Sequence, residues 1–351
     1  MLTYIHIPYC DSKCHYCSFN SYVDKFDTRS DYMQALCRQL FFELKRFKVQ
    51  KKALDTLFIG GGTPSTVAPE LYAPLFELLS PYLKDNAEIT TEANPNSATK
   101  EWLSGMKELG VNRISFGVQS FHADKLKSLN RAHTPAEAKN AILTAAELGF
   151  EHLSLDLIYN YRGDTEALLK NDISEAFNLP IDHISAYELT IEEGTKFSTI
   201  PESRQENETL AFWVAETIKE RGFTQYEISN FGKYQSRHNK GYWKLGNYIG
   251  AGAGAVGFLN DTRYYPQREI EAYLRNPMKI TEEHLSKNAL LTEKIFLGLR
   301  SDIGIEKSIL PQTMKEKAEL LVREKKLLQN ERHFYNKDFF IADALALYLL
   351  D

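Results

Sequence analysis

The stretch YIHIPYCDSKCHYCSFNSY, residues 4–22, carries three of the chain's four cysteines, Cys10, Cys14 and Cys17. The β-rich run Thr3–Ile7 before them predicts a strand that delivers the loop. Three thiols in eight residues suit a disulfide knot, a zinc site or an iron–sulfur cluster. The opening Met1-Leu2-Thr3-Tyr4 lacks the charged and apolar regions of a secretory signal. No run approaches the roughly 20 apolar residues of a membrane span. The expected compartment is therefore the cytoplasm, where thiols stay reduced, and the knot is disfavoured. Structural zinc takes four protein ligands, usually in two spaced pairs. Here the remaining Cys37 falls in a helical pattern and reads as an inert core thiol, so His6 or His15 would have to complete a Cys3His set. Three thiolates can instead hold three irons of a four-iron cluster, leaving the fourth open to a small chelating ligand.

Composition fits a soluble globular chain. The 351 residues are 43% apolar and 25% charged, with a formal net charge of -5. The length is expected to divide into about two domains. The acidic balance argues against a general nucleic-acid binder, and residues 288–351 present no convincing basic recognition helix.

Outward from the cysteine loop, strands and helices alternate. Strands are expected at Thr3–Ile7, Thr56–Ile59, Glu88–Glu92, Arg113–Val118, Leu153–Ile158 and His183–Leu189, and helices at Ser30–Phe47, Glu70–Leu79, Thr99–Leu109, Pro135–Leu148 and Thr165–Phe177. Gly110 and Gly149 each follow a Glu-Leu pair and stop a helix before the next strand. Such alternation predicts a parallel sheet with crossover helices. Six units are too few to close an eight-fold barrel, so the expected α/β fold is an open, partial (β/α)6 barrel over residues 1–190. Residues 191–287 read as an α+β extension, containing the helix Glu208–Arg221 and the glycine-dense NYIGAGAGAVGFLN, residues 247–260. Residues 288–351 read as helices around a short hairpin, a small winged-helix-like domain.

The cysteine spacing, with Tyr16 directly before the last cysteine, resembles the radical S-adenosylmethionine superfamily. GGGTPS, TTEANP, RISFGVQSF, LNRAH and SLDLIY follow in the order found in the oxygen-independent coproporphyrinogen III oxidase family. AYELTIEEGT and SRHNKGYW resemble its haem-chaperone branch. The resemblance implies a [4Fe–4S] cluster on Cys10, Cys14 and Cys17. It also implies S-adenosylmethionine held by Tyr4, Tyr16, Gly61, Gly62, Thr63, Glu92, Gln119, Arg131 and Asp156. The implied chemistry is reductive cleavage of the cofactor to a 5′-deoxyadenosyl radical. The residue types suit these roles. Glycines let backbone approach a ligand, carboxylates suit ribose hydroxyls or an amino group, and an arginine suits a carboxylate. A tight turn or ordinary surface polarity is the plain alternative for each taken alone.

In SRHNKGYW, His238 and Tyr242 stand four apart, on one face of a helix. Histidine and tyrosine both ligate haem iron, and Trp243 adds a flat apolar surface. A structural cluster around a hydrogen-bonded histidine is the alternative. The branch resemblance implies haem binding here, with His238 the leading ligand. Two functions compete: a haem carrier, and an oxidase that decarboxylates coproporphyrinogen III. The carrier is favoured because Phe19 stands where the oxidases have a further cysteine, and because only one strand precedes Cys10. The implied partners are haem, haemoprotein clients such as respiratory-chain enzymes, and an electron donor protein. Membrane contact is expected only peripherally, through a client, and the family allows a cluster-dependent homodimer. One departure stands out: after SLDLIY the family's Gly-Leu-Pro-Gly type turn is replaced by Asn160-Tyr161-Arg162-Gly163.

Overall fold

The computed structural model describes residues 1–351. Strand β1 (Leu2–Ile7) is followed by helix α1 (Arg29–Arg46), β2 (Leu54–Gly61), α2 (Pro69–Leu79), β3 (Leu83–Ala93), α3 (Lys100–Glu108) and β4 (Arg113–Gln119). Then come α4 (Ala123–Ser128), α5 (Pro135–Glu147), β5 (His152–Tyr159), α6 (Glu166–Phe177) and β6 (His183–Glu188). These six strands lie in the order 1-2-3-4-5-6, every neighbouring pair parallel. Crossovers are right-handed, so an order that never reverses puts the helices on one face and leaves the other for the interior.

Local chemistry sets the helix bounds. Thr134 and Glu137 form a capping box around Pro135 at the start of α5, and Thr99 and Thr165 cap α3 and α6. Gly110 and Gly149 adopt φ of +102° and +76° just past α3 and α5, as their positions in the sequence predict. Within the six βα units, two elements go beyond the sequence reading. α4 is only six residues long, too short for a periodic signal. β3 starts at Leu83, because its exposed opening Lys84-Asp85-Asn86 lacks the apolar alternation that marks a strand.

The sheet continues past both ends of the six. After α7 (Glu208–Glu220), strands β7 (Thr224–Gln225) and β8 (Asn230–Gly232) extend it beside β6, antiparallel. A short helix, α8 (Arg237–Trp243), leads to β9 (Tyr248–Ala251), which pairs parallel to β1. Then β10 (Gly257–Leu259), β11 (Thr262–Pro266), α9 (Ile270–Arg275) and β12 (Ile280–His284) finish the twelve-stranded sheet. Its outer strands, β12 and β7, do not pair with each other, so the barrel stays open. The glycine-dense segment lies here, and Gly252 shows why it is glycine-dense. At φ +111°, a Cβ on it would sit 2.5 Å from the carbonyl oxygen of His6.

One apolar core of 59 residues runs from Ile5 to Tyr273. A second, of 12 residues, runs from Ile295 to Leu349. The latter belongs to α10 (Lys287–Leu299), β13 (Ile305–Glu306), α11 (Gln312–Arg323), β14 (Leu327–Gln329), β15 (His333–Asn336) and α12 (Ala342–Leu350). Its three strands pair antiparallel in the order β13-β15-β14, a winged-helix-like layout. Backbone bonds dock it on the sheet: Ile228 N–H donates to Arg300 O at 2.9 Å and Asp302 N–H to Tyr226 O at 2.8 Å. No helix is long and apolar enough to cross a membrane.

Candidate cofactor cavity and adjoining groove

The C-terminal ends of the parallel strands open into a cavity of ≈ 390 Å³, and the cysteine loop forms its rim. Open α/β sheets place ligands at this end. Cys10, Cys14 and Cys17 all line it. Each is half-buried, and none is in a disulfide. Burial pushes the Cys10 and Cys17 thiols up. Donors already face two of the sulfurs: Thr63 Oγ1 lies 3.4 Å from Cys10 Sγ, and Arg131 Nη1 3.3 Å from Cys14 Sγ. Such contacts favour thiolate.

A single-ion site does not form. No three His, Cys, Asp or Glu side chains converge to hold one metal ion. His6 shares its ring nitrogens with Tyr4 Oη at 3.0 Å and the Asn20 carbonyl at 2.7 Å, and His15 Nδ1 bonds the Ser128 carbonyl. Both ring nitrogens of His6 are thus engaged, whereas His15 keeps Nε2 free. Three thiols spread round one rim suit a polynuclear cluster better than one ion. Cys37 lies apart, half-buried on α1 against the main core.

Of the side chains expected around S-adenosylmethionine, Tyr16, Gly61, Gly62, Thr63, Glu92, Gln119, Arg131 and Asp156 line this cavity. The glycine run is sterically required. Gly61 has φ +114°, and a Cβ there would meet the His6 ring at 2.5 Å; one on Gly62 would meet Tyr9 O at 2.7 Å. Gln119 is buried with φ +68°, just after the register slip between β4 and β5, a device that re-aims a side chain. Tyr4 is the exception. Its hydroxyl bonds His6 Nδ1 and its ring stacks on Phe58, so it stands behind the wall rather than in it.

Charges in the cavity are arranged in opposition. Arg131 donates from Nη2 to Asn94 Oδ1 at 2.6 Å and to Gly117 O at 2.5 Å. Asn94 in turn donates to Thr63 Oγ1 at 3.1 Å. Asn94, in the turn just past β3 and two residues after Glu92, was not expected. Glu92 accepts from Gly61 N–H at 3.0 Å. Burial, then the nearby Asp156, pushes the Glu92 acid up to about 7. Burial likewise pushes Asp156 up to about 6. Two desolvated carboxylates beside each other favour a cationic ligand.

The replaced turn is well held. Asn160, buried at φ +60°, donates to Glu188 Oε1. Asp164 accepts from Tyr161 N–H and from the buried Lys125 ammonium at 2.8 Å.

The motif at α8 is built from beneath. Glu88 on β3 accepts from the backbone N–H groups of Arg237 and His238 at 2.8 and 2.9 Å, anchoring the helix start. His238 is 1% exposed and stacks on Phe58. Its Nδ1 pairs with Thr56 Oγ1 at 2.6 Å and its Nε2 with Tyr242 Oη at 2.9 Å. Burial drives its pKa down to about 3, so the ring stays neutral. Tyr242 and Trp243, unlike His238, line a groove of ≈ 360 Å³ between α8, residues 227–230 and Leu297 of α10. Tyr187 at the end of β6 lines both spaces and is their shared wall. Tyr187 lies in the AYELTIEEGT motif but was not singled out there, and Glu227 carried no local sequence signal; they matter because distant segments meet there.

Residues 4–176 match the Radical SAM superfamily. The chain is 36% identical to Heme chaperone HemW of Bacillus subtilis over 87% of this chain and 84% of that relative. It is 32% identical to Heme chaperone HemW of Lactococcus lactis over 99% and 97%. Radical S-adenosyl methionine domain-containing protein 1, mitochondrial, of Danio rerio is 34% identical over 86% and 73%. In fold it is similar to the Escherichia coli coproporphyrinogen III oxidase HemN, with a TM-score of 0.81 over 99% of this chain and 89% of that one, at 17% identity. By these identities over most of its length, the chain belongs to the HemW family of radical SAM proteins.

Proposed function

We propose that this protein is a haem carrier that holds a [4Fe–4S] cluster on Cys10, Cys14 and Cys17, binds S-adenosylmethionine beside it, and passes haem to haemoproteins. One observation carries the reading: a groove faced by Tyr242 and Trp243 adjoins the cysteine-rimmed cavity across the single wall of Tyr187. When bound, the cluster supplies an electron at its open iron. The chain's own residues do the rest. Gly61 and Gly62 let the backbone close on the cofactor, Glu92 and Asp156 face its positive charge, and Arg131 takes its carboxylate and fixes the Cys14 side of the rim. Tyr4 supports that wall from behind. In the groove, Trp243 offers an apolar face, and His238 orients the Tyr242 hydroxyl through the 2.9 Å contact. For His238 to reach iron, it must exchange that partner for the metal.

The C-terminal unit closes one side of the groove through Leu297 and is the surface we assign to clients. The oxidase reading stands second, on shared fold alone.

Anaerobic reconstitution with iron and sulfide, followed by parallel haem titration and assays for 5′-deoxyadenosine and decarboxylation, tests the choice. A stoichiometric haem spectrum without decarboxylation supports the carrier. His238→Ala is expected to weaken haem binding and leave the cluster spectrum unchanged. Decarboxylation of coproporphyrinogen III would overturn the carrier reading.

A further inference from the structure

The groove beside α8 has an unusual polar end. None of the residues lining it is Lys, Arg or His. Two of them, Glu227 and Asn230, are 1% and 4% exposed, yet Glu227 Oε1 and Asn230 Oδ1 have no hydrogen-bond partner. Buried oxygens left unpaired in this way are rare and costly. The backbone that carries Glu227 is pinned. Ile228 N–H is bound to Arg300 O, and Glu227 bridges Ser301, which fixes the backbone between them and the C-terminal unit. Lys240 on α8 brings no free charge, because its ammonium is committed to Asp302 at 2.9 Å and to Gln235 at 2.6 Å. Asp302 adds further negative charge towards Glu227.

A flat macrocycle entering here offers one edge. At ≈ 360 Å³ the groove is at the small end of ligand pockets, which run about 300–1,000 Å³, so it holds an edge and leaves the rest outside. An edge of methyl and vinyl groups needs no partner and packs on Trp243 and Leu297. An ionised carboxylate would lose water and meet the Glu227 carboxylate and the free Asn230 oxygen, with only neutral donors such as Ser229 and Asn239 and no cation to receive it. Resting on the haem-carrier reading, we propose that Glu227 and Asn230 act as a carboxylate filter. They admit a porphyrin that keeps its propionates on one edge and reject one that carries a carboxylate on every pyrrole. The filter separates haem from the iron complex of coproporphyrin, and gives the groove its own reason not to hold an oxidase's substrate.

The test uses the reconstituted full chain at pH 8, above the value of about 7 to which burial pushes the Glu227 acid. Iron protoporphyrin IX and iron coproporphyrin III are titrated separately, read by the Soret band and by tryptophan quenching. The wild type should prefer the first by at least about tenfold. Glu227→Gln, which keeps size and removes charge, should cut that preference several-fold, chiefly by tightening the tetracarboxylate. Asn230→Asp, the second variant in case the first does not fold, should widen it. Equal binding of both porphyrins by the wild type overturns the filter, as does an unchanged ratio in a folded Glu227→Gln. If haem binds but Trp243→Ala leaves its affinity unaltered, the groove is the wrong place while haem carriage stands. If neither porphyrin binds, the carrier reading itself falls.

Discussion

The cavity under the cysteine loop and the groove beside α8 share Tyr187 but are built by different means. Apart from Arg131, which comes from the turn between α4 and α5, the cavity walls are strand ends or the loops just after them, and the polar groups already answer each other through Thr63, Asn94 and Arg131. The groove is a meeting of remote pieces: α8, the residues before β8, and α10 of the C-terminal unit. It leaves two acceptors unpaired. A site made from consecutive βα units is rigid and pre-organised for one ligand. A site made at a seam between units can open when the seam moves, which suits a cargo that must leave.

The largest way to break this contrast is to remove the rim. Replacing Cys10, Cys14 and Cys17 together with Ala should reduce bound iron and sulfide to background. The circular dichroism spectrum should stay native, since the thiols are only half-buried and support no apolar core. Iron retained in that variant would place the cluster elsewhere.

Next comes Gly61→Ala. It puts a methyl group into the His6 ring at a φ of +114°, a strain of about 1–3 kcal/mol. A depressed melting temperature and lost S-adenosylmethionine binding should appear together. An unaltered melt would mean that the loop can relax and that the cavity is less rigid than the contrast holds.

A pH series sharpens the comparison. Burial raises the folded-state acids of Glu92 and Asp156 to about 7 and about 6, above their ordinary carboxylate values. The charged forms bind a cation, so lowering the pH through these values protonates the site and weakens S-adenosylmethionine. The loss should approach about tenfold per pH unit below about 6 if one proton must leave on binding. Calorimetry between pH 8 and pH 5 measures it, and a flat profile would take these carboxylates out of the contact. The sign for the free protein is opposite. Raised carboxylate pKa values mean that burying the charge costs stability above them, a cost relieved as the pH falls.

The smallest effect is expected at the seam. Lys240→Ala removes a partly exposed ion pair with Asp302, worth about 0.2–1 kcal/mol. It should hardly change the melting temperature, yet speed haem release measured by transfer to apomyoglobin. Unchanged release would argue that the groove does not open at this seam.

The two regions also differ in how far they could be read from residues alone. The six βα units are legible in the alternation of apolar runs and helix stops, because each unit is local, and right-handed connection narrows the orders they can take to a few, of which the structure shows the unreversed one. The cysteine rim and the glycine turn are likewise local, so eight of the expected cofactor residues met in one cavity. Asn94 lies in the turn just past β3, where strand alternation no longer applies. Tyr4 and His238 show where local reading stops. Both have the residue type that a ligand contact needs, yet tertiary packing stacks one on Phe58 and holds the other between Thr56 and Tyr242. The place of Glu227 was invisible in the same way, because a carboxylate in YEISNF becomes a buried acid with one unpaired oxygen only when β8, α8 and α10 close round it.

The amino-acid order by itself determined the chemistry of the rim and the succession of strands, since both rest on neighbours in the chain. Only the folded molecule decided which side chains face the groove and what charge it tolerates. That outcome depends on desolvation and on contacts between residues tens to more than a hundred positions apart, which no spacing encodes.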